Sequence, residues 1–270
     1  MGNWRKLVLN LKYSRLTDMQ AYHFDVYDID GTLTIPGHDL WYLSTRSLAA
    51  DKDLFDRYVA EWKSEIQSGM DPFECSLTMM KRGLKLLKNG VSSEMVGHEV
   101  QRITSNLIDE GLVWREAIDF VKGRIRSGVG AVFSTTNYHE GAVGFLHALW
   151  QKGWIQQAEL EKICLSGSRI DCNSRVVIHF NMGSNKVIGL MDALGIGEEA
   201  LKARTSFVFG DDPLGNDRGL LEISPYAYVI QNEKNRHLDL PDHLRWVTWP
   251  DVQAMSISEL ASLHTDPGEK

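Results

Sequence analysis

The sequence predicts an α/β protein in which a parallel sheet carries an inserted bundle of helices. From about residue 112 onward, short apolar runs alternate with helical patterns, which favours a parallel sheet with crossover helices. Between the first apolar run and this alternating region, residues 39–111 are almost wholly helical in pattern. Three of the apolar runs lead directly into acidic or hydroxyl residues, and ligands bind such sheets beyond the carboxyl ends of the strands.

The first predicted strand covers residues 22–27 and leads into the motif DIDGTLT at residues 28–34. A strand period of two points Asp28 and Asp30 the same way, and Gly31 can turn the backbone without a Cβ penalty. Two carboxylates this close together are costly unless a cation or a shared proton relieves them. The pair suits phosphoryl chemistry, in which one carboxylate attacks, the other handles protons and a divalent metal offsets the charge.

The same Asp-x-Asp-Gly pattern also occurs in calcium-binding loops and in ordinary turns. A calcium-binding EF-hand loop that began at Asp28 would need a glutamate at its last ligand position, where this chain has Asp39. The intervening letters LTIP at residues 33–36 are poor fillers for such a loop. The pattern therefore favours a catalytic site.

The helical segment contains three predicted helices. The first covers roughly residues 40–66, the second begins after Asp71, and the third begins after Ser92 or Ser93. Asp71 can act as an N-cap, because its side chain can accept a hydrogen bond from a backbone amide of the first turn. We expect these helices to form a bundle inserted directly after the first strand.

A second strand, predicted at residues 129–133, runs into Ser134, Thr135, Thr136 and Asn137. A hydroxyl at a strand end can donate to a phosphate oxygen, although hydroxyls there are also common as helix caps. Ser134 comes first after the strand and is the preferred candidate, with Thr135 next to it.

Lys186 stands near the start of a predicted helix over residues 186–194. Cations usually lie at helix C-termini, so a lysine at an N-terminus suggests that it binds an anion. A solvated lysine is the alternative.

A third strand, predicted at residues 206–209, runs into the acidic residues Asp211, Asp212 and Asp217. Three carboxylates directly after an apolar run are typical of magnesium ligands. A plain acidic turn is the alternative.

Composition narrows the class of protein. A net charge of −7 argues against a nucleic-acid-binding surface, and no apolar run approaches the roughly 18 residues of a membrane span. The cysteines Cys75, Cys164 and Cys172 are scattered without metal-ligand spacing, which indicates thiols in a reducing compartment and predicts a cytoplasmic protein. Residues 1–20 lack a secretory segment and a complete myristoylation motif.

These four motifs, in this order, resemble the haloacid dehalogenase superfamily of phosphohydrolases. Its signature is a DxDGT strand end, a Ser or Thr strand end, a lysine, and a Gly-Asp-rich strand end; the first element is highly specific. Within the superfamily the chain is similar to the phosphoserine-phosphatase-like group, whose cap domain matches the helical insertion. The resemblance implies a Rossmann-like core formed by residues 1–38 and 112–270. Residues 39–111 would form a helical cap domain.

The resemblance also implies roles for individual residues. Asp28 would be the nucleophile that forms an aspartyl-phosphate, and Asp30 the general acid and then the base that activates water. Ser134, Thr135 and Lys186 would hold the phosphoryl oxygens.

The resemblance further implies a Mg²⁺ cofactor, bound by Asp28, by the backbone carbonyl of Asp30 and by an acid of the last motif. The family usually separates its two acidic positions by three or four residues, whereas Asp211 and Asp217 are separated by five. Asp211 follows the glycine and is the preferred ligand, and Asp212 is the alternative. Asp217 would either bind the metal directly or support the residues that bind it.

The predicted function is hydrolysis of a phosphate monoester on a small phosphorylated metabolite. A protein phosphotyrosine phosphatase and a phosphotransferase or phosphomutase of the same superfamily are the alternatives. Dehalogenases of the superfamily do not need Asp30 or the metal-binding acids, so the intact acidic set argues against dehalogenation. A non-enzyme interaction protein, with Trp246 and Trp249 in an exposed patch, is disfavoured by the complete motif set. The preferred prediction is that these two tryptophans pack the last strand against the core.

Overall fold

The computed structural model describes residues 23–265, and its centre is one seven-stranded sheet. Strands β1 to β7 are, in chain order, Phe24–Asp28, Gly130–Tyr138, Ile163–Asp171, Val176–His179, Thr205–Gly210, Ala227–Ile230 and Leu244–Val247. Their order across the sheet is β4-β3-β2-β1-β5-β6-β7, and β4 alone pairs antiparallel to its neighbour. The predicted α/β fold with a parallel sheet is confirmed. Predictions about residues 1–20 lie outside the described residues.

Helices cover both faces of this sheet and fill the long connection after β1. Helices α1 to α12 are, in chain order, Leu40–Leu48, Lys52–Gln67, Pro72–Leu86, Ser93–Asp109, Arg115–Arg126, His139–Gln151, Gln157–Leu160, Ser184–Leu194, Glu198–Arg204, Arg218–Leu221, Trp249–Ala254 and Ile257–Ser262. In the part of the chain that the structure describes, none of them has both the length and the hydropathy needed to cross a bilayer.

The prediction of one continuous helix over residues 40–66 is wrong. The chain breaks between α1 and α2, where the Asp51 side chain accepts the Leu54 amide at 2.8 Å and starts a new helix. Directly before it, the Ala50 amide donates to the Leu86 carbonyl at 2.8 Å. An N-cap and a pairing with the end of α3 therefore replace the hydrogen bonds of a continuous helix. The predicted cap at Asp71 is confirmed.

The sheet register brings the predicted site residues to one edge. In the parallel pair of β1 and β2, Asp28 lies opposite Ser134. On the other side of β1, Tyr27 pairs with Phe209 of β5, and their rings stack at 5.3 Å. Because parallel strands end on the same side, the motifs that follow β1, β2 and β5 meet at the carboxyl edge.

The helices after β1 pack in two different ways. Helix α4 belongs to the main core with β1 and β2 and lies directly on α6, where a Cβ at Gly144 would come within 2.2 Å of the Gly97 carbonyl oxygen. Helices α1, α2 and α3 instead share a small cluster around Phe55 and Met79. Phe73 of α3 also contacts Phe180 next to β4, with ring centroids 5.2 Å apart.

The prediction that Trp249 packs against the core, rather than in an exposed patch, is confirmed. This side chain is 1% exposed and packs among the aromatic rings of the main core. Its indole Nε1 donates to the backbone carbonyl of Thr32 at 2.7 Å. Trp249 therefore supports the turn that carries Asp28 and Asp30, from the far end of the chain.

Candidate active site

Lys186 is fully buried between two carboxylates at the carboxyl edge of the sheet. Its Nζ donates to Oδ1 of Asp28 and to Oδ1 of Asp217, each at 2.6 Å. The first turn of α8 carries the lysine, β1 ends at Asp28, and Asp217 lies in the loop after β5. The solvated lysine considered above is thereby excluded, and the anion partners are two side chains of the chain itself.

The charges in this buried group do not cancel one another. Burial raises the pKa of Asp28 to about 7, the charge of Asp217 adds to the rise, and Lys186 opposes it. Burial alone would lower the pKa of Lys186, but Asp217 and Asp28 together raise it above its ordinary value. One ammonium group therefore pairs with two carboxylates. When both carboxylates are ionised, the group carries a net negative charge that a cation would stabilise.

The turn after β1 is shaped by a glycine and a threonine. Gly31 has a φ of +88°, a conformation that glycine adopts without strain, and a Cβ there would lie 2.2 Å from the Asp211 carboxylate. The Thr34 hydroxyl accepts the Gly31 amide at 3.1 Å and donates to the Ile29 carbonyl at 3.3 Å. The DIDGT motif thus brings the acidic loop after β5 into contact with the end of β1.

Asp30 is held by two donors from different parts of the molecule. The Leu40 amide, at the start of α1, donates to its Oδ1 at 2.8 Å, and the Thr135 hydroxyl donates to its Oδ2 at 3.2 Å. Burial, followed by the charges of Asp39 and Asp28, raises the pKa of Asp30 well above its ordinary value. Asp30 therefore takes up a proton at a higher pH than an ordinary aspartate does.

The two hydroxyl candidates at the end of β2 differ in their surroundings. Ser134 is fully buried, and its Oγ accepts from Asn181 Nδ2 at 3.4 Å. Thr135 is bound to Asp30 and also accepts the Asn137 amide at 3.0 Å. The phosphate-binding role of Ser134 and Thr135 stays a prediction, and the geometry adds a positioning contact from Thr135 to Asp30.

The loop after β5 is organised around Asp217. Its Oδ2 accepts the amides of Asp211 and Asp212 at 3.0 and 3.1 Å, and a Cβ at Gly210 would lie 2.8 Å from that oxygen. The two oxygens of Asp212 accept the amides of Gly215 and Asn216 at 3.1 and 2.7 Å. The carboxylates of Asp217 and Asp212 therefore stabilise the loop by accepting its backbone amides.

Asp211 is left with a largely unpaired carboxylate. Its one side-chain partner among the described residues is Nδ2 of Asn232, at 3.4 Å from Oδ2. Burial, followed by the charges of Asp217 and Asp28, raises the pKa of Asp211 well above its ordinary value. Asp211 therefore has acceptor capacity that the other described residues do not use.

Three carboxylate oxygens, one from each of Asp28, Asp211 and Asp217, lie within 4.8 Å of one another. Oδ2 of Asp28 is buried and has no hydrogen-bond partner within residues 23–265, and a buried acceptor without a partner is costly. Hard cations such as Mg²⁺ prefer carboxylate oxygens. The residues present therefore fit a divalent cation.

Four asparagines support this site, and the sequence interpretation did not single out any of them as supports. Asn181 donates to the Thr135 carbonyl at 2.8 Å, and Asn216 is hydrogen-bonded to the Thr136 hydroxyl. Asn235 donates to the Asp211 carbonyl at 2.8 Å, and Asn232 contacts the Asp211 carboxylate. Only the position of Asn216, beside Asp217 in an acidic motif, could have indicated such a role.

A cavity of about 550 Å³ adjoins the acidic residues of the site. Its floor contains Asp30, Asp211 and Asp212, and the opposite wall is formed by side chains of α1, α2 and α3. This volume lies in the range of small-molecule sites.

No known family model matches the chain, and no curated protein matches it. Solved structures nevertheless share its fold. A protein of unknown function from Bordetella pertussis Tohama I superposes with a TM-score of 0.61 at 14% identity, over 84% of this chain and 99% of that chain. Cytosolic 5′-nucleotidase IIIB bound to cytidine gives a TM-score of 0.55 at 9% identity, over 96% and 93% of the two chains.

A phosphoserine phosphatase from T. onnurineus, in complex with NDSB-201, gives a TM-score of 0.51 at 12% identity. The match covers 87% of this chain and 94% of that chain. At these identities the likeness establishes the fold. The chain therefore has the α/β fold of these solved structures, which agrees with the fold that the motif resemblance predicts.

Proposed function

We propose that the protein is a Mg²⁺-dependent phosphatase that hydrolyses a phosphate monoester of a small metabolite through an aspartyl-phosphate on Asp28. The observation that carries the proposal is the buried group of Asp28, Lys186 and Asp217, in which Oδ2 of Asp28 has no partner among the described residues. An unpartnered carboxylate oxygen at a strand end, backed by a single lysine, suits a nucleophile that meets an electrophilic phosphorus atom.

Asp28 and Asp211 would hold the metal, with Asp217 behind them and the Asp30 carbonyl as a further ligand. When bound, the cation supplies positive charge to the phosphoryl oxygens and offsets the acidic site. Lys186 would hold Asp28 in position and, with Ser134, would bind a phosphoryl oxygen. Asp212 would keep the loop in place through the two amides that it accepts.

Asp30 would act first as the acid and then as the base. Its pKa is raised above that of an ordinary aspartate, and in its protonated form it would donate the proton to the leaving alcohol as the ester bond to phosphorus breaks. The resulting carboxylate would then take a proton from the water that attacks the aspartyl-phosphate. Thr135 and the Leu40 amide would hold the carboxyl group in one orientation through both steps.

Residues 39–111 would act as the cap. The amide at the start of α1 reaches Asp30, so the position of the cap and the position of the acid are connected. A cavity of about 550 Å³ beneath α1, α2 and α3 supports a small substrate rather than a phosphoprotein.

The test is the release of inorganic phosphate from para-nitrophenyl phosphate as Mg²⁺ is titrated. Phosphate release to water, rather than transfer to a second sugar or alcohol, separates hydrolysis from a phosphomutase reaction. Release that is independent of Mg²⁺ and unaffected by chelation would contradict the proposal.

The two adjacent acids after β5 should respond differently in that assay. Asp211→Asn should raise the half-saturating Mg²⁺ concentration by roughly tenfold or more, because it removes a ligand charge. Asp212→Asn should change it little, because the amide retains one acceptor for the loop, although one lost amide contact should cost about 1–2 kcal/mol of unfolding free energy. A larger Mg²⁺ effect at Asp212 would reverse the assignment.

Asp30→Asn should lower kcat by roughly 10²–10⁴ on an alkyl phosphate. The loss should be much smaller on para-nitrophenyl phosphate, because nitrophenolate leaves without needing a proton. The two substrates, measured with the same variant, control for any general disturbance of the site. Equal losses on both would show that Asp30 does not protonate the leaving group.

A further inference from the structure

The cap side of the cavity is apolar. The lining residues from α1, α2 and α3 are two tryptophans, an isoleucine, a proline, a serine and two methionines: Trp41, Trp62, Ile66, Pro72, Ser76, Met79 and Met80. Phe180 and Met182 continue the same wall from the segment between β4 and α8.

The polar atoms of this wall are few and partly engaged. The indole Nε1 of Trp62 donates to the Ser76 hydroxyl at 3.2 Å, so that the tryptophan needs no polar partner from a ligand. Trp41 packs on Phe55, with ring centroids 5.7 Å apart. Flat aromatic faces and methionine side chains favour an apolar ligand group.

The charged lining residues are four aspartates and one lysine, and of these only Asp39 adjoins that wall. Asp30, Asp211 and Asp212 belong to the reaction end of the cavity, and Asp39 caps the start of α1. Lys234 is the one cationic residue among the described lining residues, and it is exposed. A carboxylate on the leaving alcohol would therefore lie against the apolar wall and Asp39, with the exposed Lys234 as its one cationic neighbour among the described lining residues, which is costly.

We propose that the substrate is a monophosphate ester whose alcohol carries a flat or apolar uncharged group, held between Trp41, Trp62 and Met79. This inference rests on the proposed phosphatase function. It makes the wall of α1, α2 and α3 the specificity determinant and excludes amino-acid phosphates such as phosphoserine.

The first measurement compares binding of non-hydrolysable phosphonates to the Mg²⁺-loaded protein by calorimetry. Phenylpropylphosphonate should bind roughly tenfold or more tightly than the phosphonate isosteres of phosphoserine and phosphoethanolamine. Equal affinities, or a preference for either charged isostere, would overturn the inference. Because no turnover is needed, this outcome does not depend on the proposed chemistry.

The second measurement compares kcat/KM for phenethyl phosphate, phosphoserine and phosphoethanolamine, all esters of primary alcohols and hence of similar intrinsic reactivity. A preference for phenethyl phosphate of roughly tenfold or more is expected. Turnover of all three without preference would overturn the substrate class and leave the phosphatase function standing. Selective phosphonate binding without any turnover would overturn the phosphatase function and leave the pocket assignment standing.

Trp62→Ala should reduce the preference for the phenyl group in both measurements. Trp154→Ala is the matched control, since Trp154 lies outside the cavity lining and stacks on Arg115, with the guanidinium 4.6 Å from its ring centroid. An unchanged preference in Trp62→Ala, with the control also unchanged, would overturn the assignment of the wall.

Discussion

Asp28→Asn should abolish phosphate release, lowering kcat by roughly 10⁴ or more, because the amide oxygen is a poor nucleophile. The fold should survive the change. Asparagine has the same shape and retains an oxygen that can accept from Lys186, which also keeps its 2.6 Å bond to Asp217. The measurement is the rate of Mg²⁺-dependent release together with the unfolding free energy.

A covalent trap makes this prediction specific to the nucleophile. Acid quenching of the wild-type protein during turnover of a ³²P-labelled ester should yield labelled protein whose label hydroxylamine removes, as an acyl phosphate requires. The label should be absent from Asp28→Asn and present in Asp192→Asn, an exposed carboxylate paired with Arg169. Label that persists in Asp28→Asn would place the covalent step on another residue.

Lys186→Met should have the second largest effect. It leaves the buried carboxylates of Asp28 and Asp217 facing each other without a cation, and removing one partner of a buried ion pair costs about 3–5 kcal/mol. Phosphate release should fall by roughly 10³, because the same ammonium group would also stabilise phosphoryl charge. Activity and chemical denaturation of the same preparation test both effects.

The stability loss in Lys186→Met should depend on pH with a definite sign. The pKa of Asp28 is already raised to about 7 with the lysine present, and removing the lysine should raise it further. Above about pH 7 the wild type has largely lost the proton on Asp28, whereas the folded variant retains it, so the unfolding free energy of the variant falls more steeply as the pH rises. The difference in unfolding free energy from the wild type should therefore shrink as the pH falls.

Lys202→Met is the matched control for this variant. Lys202 pairs with Glu198 on an exposed helix surface, with its side chain 53% exposed, and such pairs contribute about 0–1 kcal/mol. It should show neither the large stability loss nor the loss of activity. A stability loss in Lys186→Met that stays constant from about pH 5.5 to 8 would refute the unrelieved-carboxylate explanation.

Several features could be predicted from short stretches of sequence. The apolar run before Asp28 is a strand, and the glycine after Asp30 does take a positive φ. Asp71 and Ser92 cap helices by accepting the amides of Glu74 and Met95. Each of these depends on contacts between residues at most a few positions apart, which is why local patterns were sufficient.

Other features depend on hydrogen bonds to distant segments of the chain, and local patterns could not predict them. The long helix predicted over residues 40–66 is divided in two, since Ala50 pairs with the end of α3. Trp249 is buried as preferred, but its hydrogen-bond partner was not predicted, since its indole donates to the Thr32 carbonyl, which lies 217 positions earlier in the chain. Neither partner could be identified from the residues near the break or near the tryptophan.

The sequence by itself determined the parallel α/β fold and the order of the four motifs, because strand periodicity, turn glycines and acidic strand ends are local properties. Only the tertiary structure decided how those residues are used. It buried Lys186 against Asp28, 158 positions away, tied Asp212 to its own loop while leaving Asp211 free of strong partners, and placed an apolar wall over the carboxylates. Burial and long-range pairing set the charge balance and the shape of the cavity, and neither is encoded in any single stretch of the chain.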